Sequence, residues 1–320
     1  MEFIGDEWNI PDLDSQGKLI KSLWETELIS KNYKKGFRGL CYVEKQIFIP
    51  GIRWIDQDIT GKTLLVTVDQ GRGDTILFSR FLLPPWREKL DCEIIFDCQI
   101  SLQPVYEGHI SNITDRTRPE PKFDYAIPIS GLPHLLGITE EHELIKKPQY
   151  IDGPIKEKIN PNDDFKVGIV WKGTNHTNTD LTLYDFESNF GDIKGCSLYS
   201  LQYPNDYKTI VKSAILDIRK DLDNAKMKSE FMLGHKIKDF SDVVSFIKQM
   251  DLIISVDTAT AHLAGAMNKP VWIPLKYGHV YWPWYSKVYS SAETFWQQRN
   301  KSWFYVFEKM RNKLIDRINA

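Results

Sequence analysis

DLIISVDTATAHLAGAMNKPVWIPL, residues 251–275, holds two short apolar runs around a helical stretch. LIISV (252–256) and PVWIP (270–274) have the length and composition of buried strands. Thr258–Met267 between them carries small and apolar residues at helical spacing. Strand, helix and strand in succession form a βαβ unit, so the two strands must run parallel. At the carboxyl end of the first strand stand Asp257, Thr258 and Ala259, with His262 one turn further in. Asp257 is placed to cap the helix. Thr258 and Ala259 expose backbone N–H groups at the positive helix end, where phosphate binds well and small side chains allow close approach. His262 is at i+4 from Thr258 and can face the same ligand. A capped helix with a core histidine is the plain structural reading of the same residues.

The alternation continues on the N-terminal side. FKVGIVW (165–171) reads as a strand ending in Lys172-Gly173, 181–190 as a helix, CSLYSLQ (196–202) as a strand and 241–250 as a helix capped by Ser241. Lys172 can reach a phosphate as a point charge. The polar TNHTNT that follows (174–179) can close over a ligand or be an ordinary loop. From Ser302 onward one long amphipathic helix is expected.

Residues 61–150 follow the same logic. LLVTV (64–68) is a strand, GRGD (71–74) a glycine turn, 75–83 a helix before Pro84-Pro85, and EIIFD (93–97) a second parallel strand. DYAIPI (124–129) reads as another strand. Gly71 and Gly73 match part of a GxGxxG fingerprint, with Ile76 at the third glycine position and Asp97 where a ribose-binding acid belongs. The alternative is that the glycines let the loop approach a sugar or phosphate while Asp74 takes a proton from an acceptor hydroxyl. Asp74 can also simply cap the helix at Thr75. Ahead of this lie two helical stretches, 17–33 and 34–44, stopped by the Pro-Gly break in IFIPGIRW. Residues 146–164, with three prolines and several charges, read as a linker.

Composition narrows the function classes. Lys+Arg 41 against Asp+Glu 43 leaves a net charge of −2, which excludes broad electrostatic capture of nucleic acid. No apolar run is long enough to cross a bilayer, and the acidic start MEFIGDEWNIPD is neither a signal nor a transit peptide. The four cysteines form no CxxC pair and no zinc spacing, so reduced, mostly buried thiols in a cytoplasmic protein are expected. Asp-x-Asp at Asp12–Asp14, Asp56–Asp58 and Asp221–Asp223 follows no clear apolar strand in any of the three cases. These read as solvated turns and helix faces rather than a metal–diphosphate site. Helix dipole and lysine would then neutralise a leaving diphosphate without a metal or other cofactor. Tyr281, Trp282, Trp284 and Tyr285 can stack on a base or sugar, or pack the two domains together.

GKTLLVTVDQGRGDTILFSRF (61–81), FDYAIPISGLPHLLGI (123–138), KVGIVWKG (166–173) and residues 251–275 together resemble bacterial glycosyltransferases related to ADP-heptosyltransferases, glycosyltransferase family 9. The match is closest to the branch fused to tetratricopeptide repeats. The resemblance implies a GT-B fold, α/β with two Rossmann-like parallel domains facing a cleft, and a metal-independent reaction. The expected division is a helical N-terminal extension like a remnant repeat (1–60), an acceptor domain (61–150), a nucleotide-sugar domain (151–300) and a C-terminal helix (301–320). By this resemblance Lys172, Gly173, Asp257, Thr258, Ala259 and His262 line the donor site, Gly71 and Gly73 border it, and Asp74 is the catalytic base of an inverting transfer. The partners implied are a nucleotide-sugar donor and an acceptor that is a glycan, a lipid-linked sugar or a protein. Other readings stand beside it: a non-catalytic nucleotide- or glycan-binding module or scaffold, a nicotinamide-dependent oxidoreductase using GRGD, and a nucleotide-sugar epimerase.

Overall fold

The computed structural model describes residues 17–43, 53–68, 71–115, 121–159, 163–173, 181–202, 231–279, 281–299 and 302–320. The loop at 174–179 and the acidic pairs at 12–14 and 221–223 lie outside these residues.

The first described elements form a helical hairpin, α1 (Gly17–Ile29) and α2 (Tyr33–Val43). Trp24, Leu28, Phe37 and Leu40 are buried between the helices and the body behind them. The N-terminal half then runs β1 (Thr63–Thr67), α3 (Arg72–Ser79), β2 (Glu93–Asp97), α4 (Gln103–Tyr106), β3 (Ile113–Thr114), β4 (Tyr125–Pro128), α5 (Leu132–Leu135) and α6 (Glu141–Leu144). Its four strands lie in the order β3-β2-β1-β4, all parallel, with Leu65 opposite Ile95 and Ala126. The C-terminal half contains β5 (Phe165–Val170), α7 (Leu183–Phe190), β6 (Cys196–Ser200), α8 (Phe240–Lys248), β7 (Leu252–Ser255), α9 (Ala259–Ala266), β8 (Val271–Leu275), β9 (Ala292–Trp296) and α10 (Phe304–Ile318). Its sheet is also parallel throughout, in the order β6-β5-β7-β8-β9. These two parallel α/β sheets are consistent with a GT-B-like fold.

The strands read as continuous apolar runs because helices cover both faces of a parallel sheet. β7 and β8 are buried along their whole length. Neighbouring strands therefore sit in the middle of the C-terminal sheet, and the carboxyl end of β7 opens onto the start of α9.

Several local expectations shift. α3 begins at Arg72 rather than Thr75 and is followed by a 3-10 turn, Arg80–Leu82. Its cap is Gly71, so Asp74 stands within the first turn and is not the capping residue. α8 is capped by Asp239, not Ser241, in a reciprocal box with Asp242. The stretch expected as a linker is packed: Tyr150 and Ile151 donate their N–H groups to the carbonyl of Ala266, and Lys156 N–H donates to Ser245. Asp56 and Asp58 lie in an exposed turn, where Asp58 accepts from Thr60. Among the described residues no helix is long and apolar enough to cross a membrane, and the four cysteines form no disulfide, three of them being buried.

Candidate functional site

The carboxyl ends of β1 and β7 come together through the helices that follow them. α3 packs directly on α9, and the contact is close because Gly73 has no side chain. A Cβ at Gly73 would stand 2.7 Å from His262 Cδ2. Gly73 is thus required for proximity to the histidine rather than for an unusual backbone angle. Gly173 is similarly set against the turn after β7, where a Cβ would lie 3.3 Å from the carbonyl oxygen of Asp257 and 3.4 Å from Thr258 Cγ2. Gln202 fixes the Lys172 backbone, accepting its N–H at 3.0 Å and donating to its carbonyl at 3.1 Å. Gly73 thus meets His262, and Gly173 meets Asp257 and Thr258.

The cap of α9 differs from expectation. Thr258, not Asp257, is the N-cap: its hydroxyl accepts from Ala261 N–H at 3.4 Å and shares a 2.8 Å hydrogen bond with Ser255. A threonine has the extended backbone and short oxygen that the cap needs. Asp257 is thereby released to face two imidazoles. His279 Nε2 lies 3.0 Å from its Oδ2, at an angle that makes no hydrogen bond. His262 Nε2 lies 3.8 Å from Oδ1. The N–H groups of Ala259 and Thr260 belong to the first turn, where a helix has no internal acceptor for them.

His262 is 2% exposed. Its Nδ1 is 2.9 Å from Tyr289 Oη, and its ring contacts Tyr281, Trp284 and Tyr289. Tyr289 fits there because Gly265 leaves space under its ring, 2.5 Å from where a Cβ would be. The arrangement that suits both neighbours has the phenol donating to Nδ1 and the Nε2 proton facing Asp257. Burial lowers the pKa of His262 to about 4, against the pull of Asp257 and with help from Arg80. The folded state therefore keeps it neutral at pH values where the unfolded chain, near 6.5, takes up a proton. The histidine's contribution is fully present above pH 6.5 and is lost as pH falls toward 4. Between pH 7.5 and 5 this amounts to roughly 2 kcal/mol. His262→Asn should remove about that much of the acid sensitivity, measured as the difference in urea unfolding free energy between pH 7.5 and 5. An equal pH dependence in the variant would contradict it.

Asp74 reaches the same place from the N-terminal half. Tyr281, in the segment before the Trp282–Trp284 turn, donates its phenol O–H to Asp74 Oδ1 at 2.5 Å. Burial, reinforced by the charges of Asp74 and Asp257, holds the Tyr281 phenol well above its ordinary pKa, so it remains a donor. Nothing in the local sequence marks this contact, which joins positions 207 apart. Of the aromatic cluster, Trp282 packs on Phe37 and Phe78, Trp284 on His262, and the exposed Tyr285 on Trp296. Asp97 is 8% exposed in β2, paired in register with Thr67.

Residues 225–278 match the model of glycosyltransferase family 9 (heptosyltransferase). The similarity of this chain is to that family. The matched stretch holds α8, β7, α9 and β8, hence the Asp257–His262 turn, and its first residues, 225–230, lie outside the described ones. Protein FlbA of Caulobacter vibrioides is 25% identical over 279 residues, 75% of this chain and 45% of that protein. The chain thus spans less than half the length of this curated relative. A glycosyl transferase family 9 structure from Veillonella parvula superposes with a TM-score of 0.52 at 11% identity, covering 80% of this chain and 90% of that one. The heptosyltransferase TibC, described as dodecameric, iron-containing and in complex with ADP-D-β-D-heptose, gives 0.48 at 11% identity over 82% of this chain and 77% of its own. The Veillonella structure establishes a shared fold. Among the described residues no three His, Cys, Asp or Glu side chains converge as they would to hold a metal ion.

Proposed function

We propose that this protein is a glycosyltransferase of family 9 with a GT-B arrangement, in which residues 61–150 take the acceptor and 151–300 the nucleotide-sugar donor, flanked by the helical extension 1–60 and the C-terminal helix 301–320. The observation that supports the reading is the seating of Gly73 on His262, which sets the first turn of α3, with Asp74, against the helix that follows β7. In the proposed step Asp74 removes the proton of an acceptor hydroxyl. The freed oxygen pair forms a bond to the anomeric carbon, and the bond from that carbon to the diphosphate oxygen breaks with its electrons on the diphosphate. In-line attack inverts the anomeric centre. The N–H groups opening α9, capped by Thr258 and left accessible by Ala259, together with Lys172 beside Gly173, take up the developing charge. Asp257 borders the same donor site, facing His262 and His279. We place the reaction in the cytoplasm, where nucleotide sugars are made, and without a divalent ion.

The test is a thermal-shift screen of ADP, GDP and UDP. A nucleotide at 100 times its Kd should stabilise the fold by about 2.7 kcal/mol. Lys172→Ala should weaken the bound nucleotide by about 10–100-fold, the value of one charge-assisted contact, as measured by calorimetry. Unaltered affinity would remove Lys172 from the donor site. Release of nucleoside diphosphate from ADP-D-β-D-heptose, GDP-mannose or UDP-glucose separates a transferase from a module that binds and does no chemistry.

A further inference from the structure

We propose that Tyr281 is the positioning residue for the Asp74 carboxylate, so that the base on one half of the protein is set in place by a phenol from the other. The inference rests on the reading of Asp74 as general base and adds a residue to that site. Three observations support it. Tyr281 Oη donates to Asp74 Oδ1 at 2.5 Å, the length of a hydrogen bond to a charged acceptor. The other oxygen, Oδ2, lies on the Gly71 side, 3.7 Å from where a Gly71 Cβ would stand. The phenol is itself held by its neighbours. Trp282 is buried with its ring edge-on to Phe37 of α2 and tilted against Phe78 of α3, and Trp284 lies 4.7 Å from the His262 ring. Tyr281 contacts the same imidazole, at 5.7 Å.

This geometry has a chemical consequence. Asp74 belongs to the first turn of α3 and has rotamers of its own to choose from. A fixed donor on one oxygen selects one of them and aims the other oxygen. It also stabilises the anion over the acid, which keeps the base deprotonated while it waits for substrate. The groups around the pair are Arg72 on α3 itself, whose Nε donates to Ser101, Asp257 and His262 from the turn and helix α9, and Tyr289 behind the phenol. His262, with its pKa lowered to about 4, takes up its proton in the same acidic range, so Asp74 is followed through its own resonance.

The variant is Tyr281→Phe, which keeps the ring and removes one oxygen. In protein labelled with carbon-13 at the aspartate carboxyl, the Asp74 resonance is the one missing from Asp74→Asn. Its titration should move to higher pH in Tyr281→Phe. An unchanged midpoint overturns the inference whatever becomes of the proposed transfer. With ADP-D-β-D-heptose, GDP-mannose and UDP-glucose as donors, nucleoside diphosphate release should fall about 10–100-fold in kcat. The donor KM should stay the same, and the acidic limb should be displaced toward neutrality. A wild-type rate and profile in Tyr281→Phe, with Asp74→Asn inactive, overturns the positioning role and leaves the base. Full activity in Asp74→Asn overturns both.

Discussion

Asp74→Asn should lower sugar transfer about 10²–10⁴-fold, the usual contribution of a positioned general base, with nucleoside diphosphate affinity unchanged. The two readouts separate because the groups lie on different halves. Asp74 comes from the first turn of α3, whereas Lys172 and the α9 N-terminus stand at the strand ends of the C-terminal sheet. Asparagine is nearly isosteric, and its amide oxygen can still accept from Tyr281, so the seating of α3 on α9 should survive. What disappears is the capacity to accept a proton. Initial rates with labelled donor and calorimetry with the matching nucleotide decide it. Turnover at the wild-type level would remove the base from Asp74, and a parallel loss of nucleotide affinity would show a disturbed interface instead.

Arg80→Met should destabilise the fold by about 3–5 kcal/mol, as expected when several buried acceptors lose one shared donor. Arg80 is 4% exposed at the end of α3. Its guanidinium donates to the carbonyls of Leu77 and Val288 at 3.0 Å, to the carbonyl of Leu144, and to Tyr150 Oη at 3.2 Å. The rings of Tyr150 and Tyr289 lie over it at 4.7 and 5.1 Å. One planar fork therefore ties the end of α3 to α6, to the segment before β5 and to the segment before β9. Methionine matches the stem and none of the donors. Arg80→Lys keeps the charge but supplies three donors from one point and cannot span the same acceptors, so it should recover only part of the loss. Guanidinium unfolding at pH 7.5 measures both. A change below about 1 kcal/mol in Arg80→Met would mean that dehydrating the guanidinium cancels its hydrogen bonds.

The sequence carried the local architecture because each parallel strand leaves its own mark. Runs such as LLVTV and LIISV are apolar on both faces, and each is followed by a glycine or a capping residue where the chain must turn. β3 and β9 left no such mark: β3 is two residues long, and β9 is mostly half-buried, so neither needs a continuous apolar run. The cap of α9 was misassigned by one residue. Asp257 and Thr258 are both good caps, and Thr258 takes the role with Ser255 holding its hydroxyl, while Asp257 faces two histidines, one of them from another loop.

The candidate site divides in the same way. The residue types at the strand ends, Gly71 to Asp74, Lys172-Gly173 and Asp257 to His262, are legible because a helix start after a parallel strand has a fixed chemical character wherever it occurs. That Gly73 seats on His262, that Tyr281 holds Asp74 and that Arg80 reaches Val288 belong to the folded molecule alone. These contacts join residues about two hundred positions apart. Hydrophobic periodicity reports which face of an element is buried, but it carries no record of which distant element covers that face. Only the docking of the two sheets brings a phenol, a carboxylate and an imidazole within reach of one another.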